Sequence, residues 1–289
     1  MGPGFKYHIV SISAIFFALT IGLVVGSVFV SPQFVNRQEQ IIKHLQESLN
    51  TDIEEKRKEI AQKTECIETI SPLALKDRLV NASVAIIQTG DYPEAAARAS
   101  DAIAMANPRG IVHLTLTSAI DKNQDELDGI LARLHESTAT LPADRDSLFQ
   151  SISSLLAKGD SLTAPVLPQL EREGFLQLNP DDNFRQRIDT AVIVAGSRSA
   201  DSLRASRVDV PLIRALLKQG INVVACEGKD ATATDMPAIR VIRDAISTVD
   251  NVDTDVGRCS LVLAFSSIRG DYGVKPGASR VMPPMPETP

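Results

Sequence analysis

The feature that most constrains this chain is the stretch Ile9–Val30, 22 residues without a charge, flanked by Lys6 and Arg37. As a helix rising 1.5 Å per residue it reaches about 33 Å, enough to cross the ~30 Å hydrocarbon core of a bilayer. A helix buried in a soluble domain rarely stays apolar on all faces for that length. An export signal has a shorter apolar region and a small-residue cleavage site. Val24 and Gly26 before Ser27 resemble such a site, so cleavage stays open beside the expected uncleaved anchor. Basic residues lie on both sides, Lys6 before and Arg37 and Lys43 after, so charge does not fix the orientation. The short head, residues 1–8, makes the simplest layout one with the amino terminus inside and the long remainder across the membrane. Ala14, Ala18, Gly22 and Gly26 recur every four residues, and "GLVVG" is a GxxxG motif. Such a small-residue stripe favours close pairing of two membrane helices.

After the span the sequence becomes charged and helical from 33 to 71. With d positions at Val35, Ile42, Leu49, Lys56, Lys63 and Ile70, the a positions are Glu39, Gln46, Ile53, Ile60 and Ile67. Most of this seam is apolar, and the polar members weaken a coiled coil while fixing its register. A self-associating stalk, giving a homodimer through span and coil, is expected. One amphipathic helix packed on its own domain is the alternative. Cys66 falls beside the seam, where an oxidising compartment would allow a link between two stalks. Ser71–Pro72 is read as a break or restart of the helix.

From 79 to 274 short β-rich runs alternate with helical ones. Strands are expected near Val84–Gln88, Ile111–Thr117 and Thr190–Ala195, then at "INVVAC" and "AISTVDNV". Helical stretches near Asn123–His135, Asp146–Lys158 and Leu162–Glu173 form an insertion between the second and third strands. The fold class is therefore α/β, a doubly wound, mostly parallel five-stranded sheet. "DTDVGRCSLVLAF" has the apolar run of a buried strand, but Asp253 or Thr254 supplies an N-cap, so a helix is expected. The tail 275–289 is Pro-rich and read as extended or disordered.

Ligands of open parallel sheets bind beyond the carboxyl ends of the strands. The loops expected there carry Asp91, Ser197, Arg198, Asp230, Asp250, Asn251, Asp253 and Asp255. This polar, acid-rich rim is the candidate partner surface, with Asp91, Arg198, Asp230, Asp250, Asn251 and Asp253 as its leading residues. A dinucleotide fingerprint and a P-loop are absent from the sequence. "AGSRSADS" lacks the second glycine of a nucleophile elbow. A histidine partner is not evident: His113 lies on a strand, His135 on a helix, and His8 and His44 outside the domain. Asn251, Asp253 and Asp255 fail as a calcium loop, since Val256 and Val262 stand where glycine and glutamate belong. A cap role for Asp253 and Asp255 is the simpler reading. No catalytic base, nucleophile or cofactor loop can be named, and a non-enzyme is expected. The net charge of −6 argues against nucleic acid as a partner. Membrane lipid and an envelope protein remain as partners.

Soft metals need thiolate or thioether donors. Cys226, Cys259, Met282 and Met285 are the candidates, and no spacing gathers them. The chain nevertheless resembles the MctB-like family. The likeness is carried by "YHIVSISAIFFALTIGLVVGS", by "STVDNVDTDVGRCSLVLAF" with its element Asp250–Arg258 intact, and by "GDYGVKPGA" followed by "MPP". The resemblance implies a membrane-associated protein of copper transport or homeostasis at the cell envelope, and copper enters as a candidate ligand on that ground alone. It supplies no ligand set, so no metal residue is assigned.

Overall fold

The computed structural model describes residues 3–29, 32–159, 166–182, 186–200 and 202–285. Val30, positions 162–165 of the expected third insertion helix and the last four residues of the tail lie outside the described residues. The chain divides into two compact units, 1–64 and 65–289.

The first unit holds helix α1 (Pro3–Phe29) and most of α2 (Pro32–Leu75). In α1 the 22 residues Lys6–Ser27 are long and apolar enough to cross a membrane. The stripe Ala14, Ala18, Gly22 and Gly26 lies open on its surface. In α2 the seam residues Ile42, Leu49, Ile53 and Ile60 are all exposed. The two lysines at seam positions share one acid: Lys56 and Lys63 each place Nζ 2.8 Å from Glu59. Glu59 thereby neutralises the positions least suited to an apolar seam.

The helix does not break at Ser71–Pro72. Pro72 lies inside α2, and the last turns are fixed by burial of Ser71 and Leu75 in the second unit. Ser71 Oγ lies 3.0 Å from Cys259 Sγ. Ile67, expected at the stalk seam, packs against the domain core instead.

The second unit is an α/β domain built on β1 (Ser83–Gln88), β2 (Gly110–Leu116), β3 (Leu176–Leu178), β4 (Thr190–Val194), β5 (Asn222–Cys226), β6 (Ser247–Val249) and β7 (Asp271–Tyr272). The expected five strands form part of a seven-stranded sheet, ordered β3-β2-β1-β4-β5-β6-β7. All pairings are parallel except β2 with β3. The two additional strands sit at the edges and have three and two residues, too short to show alternation in sequence.

Alternate side chains of the central strands face opposite layers, as a period of two requires. Ala85, Ile87, Ala191, Ile193, Val223 and Ala225 enter one core. That layer includes α4 (Gln124–Ser137), α5 (Arg145–Lys158), α6 (Val166–Arg172), α7 (Val210–Lys218) and the short α8 (Met236–Ile239). Val84, Ile86, Val192, Val194, Val224 and Cys226 enter the other, covered by α3 (Pro93–Met105), the end of α2 and α9 (Asp255–Leu263). The run expected as the last helix is α9. Thr254 caps it, its Oγ1 accepting from Gly257 N at 3.0 Å. Asp253 is not the cap, because its carboxylate is turned to another loop.

After β7 the chain is ordered to Met285 rather than free. Ser260 Oγ donates to the Val281 carbonyl at 3.3 Å and Ser267 Oγ to the Pro284 carbonyl at 2.9 Å, strapping this segment across α9.

Candidate binding crevice and its buried support

The strand order reverses between β1 and β4, the place where open α/β sheets form a crevice beyond their carboxyl ends. A crevice of about 290 Å³ lies there, lined by Tyr92, Glu94, Arg198, Gly228, Asp230 and Asp253 among others. Arg198 stacks on Tyr92, its guanidinium 5.1 Å from the ring centre, and lies 3.6 Å from Glu94. Tyr92 Oη accepts from Thr232 N at 2.9 Å, tying the β1 and β5 loops. Asp253 Oδ1 accepts from Lys229 N at 2.8 Å, tying the β5 and β6 loops. Asp230 is 82% exposed on its side chain, with only Lys229 Nζ near it at 3.9 Å. A larger groove of about 440 Å³ lies at the amino ends of β5 and β6, around Asn222, Ser247 and Arg269. It has no such convergence of charged groups, and the sheet rule favours the opposite end.

Asp91 lies beneath the crevice. Ser197 Oγ donates to it at 2.8 Å, Arg198 N at 3.2 Å, and Arg204 Nη1 stands 3.1 Å away. Partial burial works against its charge. The Ser197 hydroxyl, Arg204 and the Arg198 amide together outweigh that and hold the carboxyl below its usual range.

Under this layer is a buried acid cluster centred on Arg204. Its Nε lies 3.5 Å from Asp121, and it also donates to the Thr89 carbonyl. Arg204 precedes a single π turn, Ala205–Asp209, which leads into α7. Such turns often mark functional positions. Asp209 is fully buried, and neither carboxylate oxygen has a hydrogen-bond partner. Burial first, then the neighbouring Asp235 charge, pushes Asp209 up to about 8. Asp235 is raised to about 6, chiefly by burial, although it accepts from Gly196 N at 2.8 Å. Through that amide the buried pair is joined to the loop carrying Ser197 and Arg198.

Asp250 and Asn251 are not on the rim. Asp250 is fully buried, bonded to Arg240 Nη2 at 2.8 Å and to Val274 N at 2.6 Å. Arg240 Nε also lies 3.4 Å from Asp271 and its Nη1 donates to the Pro276 carbonyl at 3.0 Å. Glu227, also fully buried, accepts from Lys275 Nζ at 2.6 Å. This clasp joins "VDNVD" to "GDYGVKP". Glycine is required at two of its positions. A Cβ at Gly257 would collide with the Asn251 carbonyl, and one at Gly273, whose φ is +132°, would collide with the Asp250 carboxylate. These stretches therefore serve the architecture: the strap covers the end of β6 and removes Asp250 from solvent, while Asn251 is buried with its carbonyl against Gly257 of α9. Arg204, Asp209, Asp235 and Arg240 carry no sequence signal, since their partners lie far along the chain and no local motif marks them.

Among the described residues no three or more His, Cys, Asp or Glu side chains gather to hold a metal ion. Cys226 is fully buried, and burial with the Glu227 charge pushes its thiol far above the ordinary range, so it offers no thiolate. Cys259 is buried against Ser71, whereas Met282 and Met285 are exposed.

One apolar helix long enough to cross a membrane, followed by an α/β domain with a crevice at its switch point, is the architecture of a membrane-associated protein. The chain belongs to the MctB family: the family model described as "Copper transport outer membrane protein, MctB" matches residues 4–283. It is 26% identical to the protein named "Copper transporter MctB" of Mycobacterium tuberculosis H37Rv, over 96% of this chain and 98% of that one. The Mycobacterium bovis protein of the same name matches equally. That of Mycobacterium leprae is 30% identical over 44% of each chain.

Proposed function

We propose that this chain is a single-pass envelope protein serving copper transport or homeostasis, with its α/β domain on the extracytoplasmic side, and that this copper role needs no catalytic step. The observation that carries the reading is the family match along nearly the whole chain. One apolar helix encloses no pore, and the described residues offer no cluster of metal donors. Both favour a protein that handles copper together with a partner, the crevice around Arg198 and Asp253 being its contact surface. The test is a deletion strain grown across a range of copper concentrations. Cell copper content or tolerance is expected to change and to be restored by the wild-type gene, but not by Arg198→Ala with Asp253→Ala. Unchanged copper behaviour in the deletion strain would overturn the copper role.

The same observation on metal donors favours a second reading, a scaffold working through a paired stalk. Two spans in one membrane share a direction, so their stalks pair parallel. In that arrangement Asp52 of one helix faces Arg57 of the other at flanking positions, an attractive pair. The seam available for pairing ends near Lys63, because Ile67 packs on the domain. In a chain carrying Cys66→Ser, Leu49→Cys at a d position is expected to form a disulfide-linked dimer in oxidised membranes, whereas Lys58→Cys on the outer face is not. Equal crosslinking of both, or of neither, would exclude a paired stalk in this register.

A further inference from the structure

We propose that Ser100 is an activated nucleophile that takes an acyl group from a carboxylic ester, with His113 as its base and Asp182 positioning His113. The three residues come from α3, β2 and the segment after β3, and they lie outside the crevice and the acid cluster. Ser100 Oγ is 2.8 Å from His113 Nε2, and His113 Nδ1 is 2.9 Å from Asp182 Oδ2. These are the nucleophile–base and base–orienter separations that an activated hydroxyl requires. A carboxylate only accepts, so Asp182 draws the imidazole proton to Nδ1 and leaves Nε2 to accept from the Ser100 hydroxyl.

Asp182 is itself held. Its side chain is only 10% exposed, its Oδ2 accepts from the His113 backbone N–H, and its Oδ1 accepts from Asn179 Nδ2 at 3.0 Å. Closing the edge of β2 needs only the backbone contact. The ring contact and its continuation to Ser100 go beyond that need. The His113 side chain is 34% exposed and Ser100 is half-buried, so neither group is sealed in the core.

In the reaction Ser100 Oγ bonds to the ester carbonyl carbon as its proton passes to His113 Nε2. The carbon–oxygen bond to the leaving alcohol then breaks, and His113 returns the proton to that oxygen. The product is an acyl-serine and a free alcohol, with no redox change. The amides around Ser100 are engaged in the helical ladder of α3. They are not presented to the acyl oxygen, so both steps are expected to be slow, and only an ester with a good leaving group acylates Ser100 faster than water removes the acyl group.

The test uses the full-length chain in detergent micelles with p-nitrophenyl acetate. A burst of p-nitrophenolate is expected, with an acetyl group mapped to Ser100 by peptide mass spectrometry. Ser100→Ala removes both, and His113→Gln slows the burst about 100-fold. Asp182→Asn slows the burst, and Asp182→Glu, which keeps the charged acceptor for His113 Nδ1, restores part of it. Turnover without a lasting adduct also supports the proposal if Ser100→Ala abolishes it. Release unchanged in Ser100→Ala, no release at all, or equal rates in His113→Gln overturns it. The copper reading does not depend on this outcome, since the deletion-strain measurement tests it separately.

Discussion

Asp250→Ala is expected to destabilise the α/β domain by about 3–5 kcal/mol, the usual penalty for removing one partner of a buried ion pair. The loss has two sources. Arg240, only 9% exposed, keeps its charge but loses the 2.8 Å contact that compensates it. The amides of Val274 and Lys275, which donate to Asp250 at 2.6 and 3.1 Å, lose their acceptor. Unfolding by urea, followed by circular dichroism on the full-length chain in detergent, measures the effect. Limited trypsin digestion should show cleavage after Arg280 before any cut in the central strands. Asp230→Ala is the control: its carboxylate is solvent-exposed, and no more than about 0.5 kcal/mol is expected. Equal stability of the two variants would contradict a structural clasp.

Asp209→Asn is expected to stabilise the domain at alkaline pH, with the gain shrinking as pH falls and vanishing below about pH 4. The folded protein keeps the Asp209 proton up to about 8, whereas an unfolded chain releases it near 3.9. Between those values the folded state binds more protons than the unfolded one. The stability this supplies is complete below about pH 4 and is lost as pH rises through 8. Asparagine stays neutral throughout and escapes the loss. Every tenfold difference in proton affinity between the folded and unfolded chain corresponds to about 1.4 kcal/mol. Sharing of the proton with Asp235 reduces the total, so a gain of about 2–4 kcal/mol at pH 9 is expected. Thermal unfolding of both proteins from pH 5 to pH 9 checks this. Parallel pH curves would show that Asp209 is not the group holding the proton.

The central fold is legible in the sequence because its signals are local. β1, β2, β4 and β5 are runs of β-branched residues, and the alanines of α3 recur at helical spacing. α9 is recoverable despite its strand-like run because a threonine stands at its start. What escapes depends on distance along the chain. β3 and β7 are too short for any period to show. Pro72 reads as a break, yet the burial of Ser71 and Leu75 overrides a local preference. Asp250 reads as a rim residue because it ends a strand, and only the returning strap covers it. The crevice is legible in part: Arg198, Asp230 and Asp253 line it, and Asp91 supports it from below. The Arg204 cluster and the Ser100–His113–Asp182 string have no signature, since each joins residues from separate elements.

The strap sets an order of events for biosynthesis. Glu227 and Asp250 find Lys275 and the 274–275 amides only after those residues have left the ribosome. Until then two carboxylates destined for the interior lack their partners, which keeps the nascent domain open. The closing step of the domain is thus expected to follow completion of the chain rather than to accompany its synthesis.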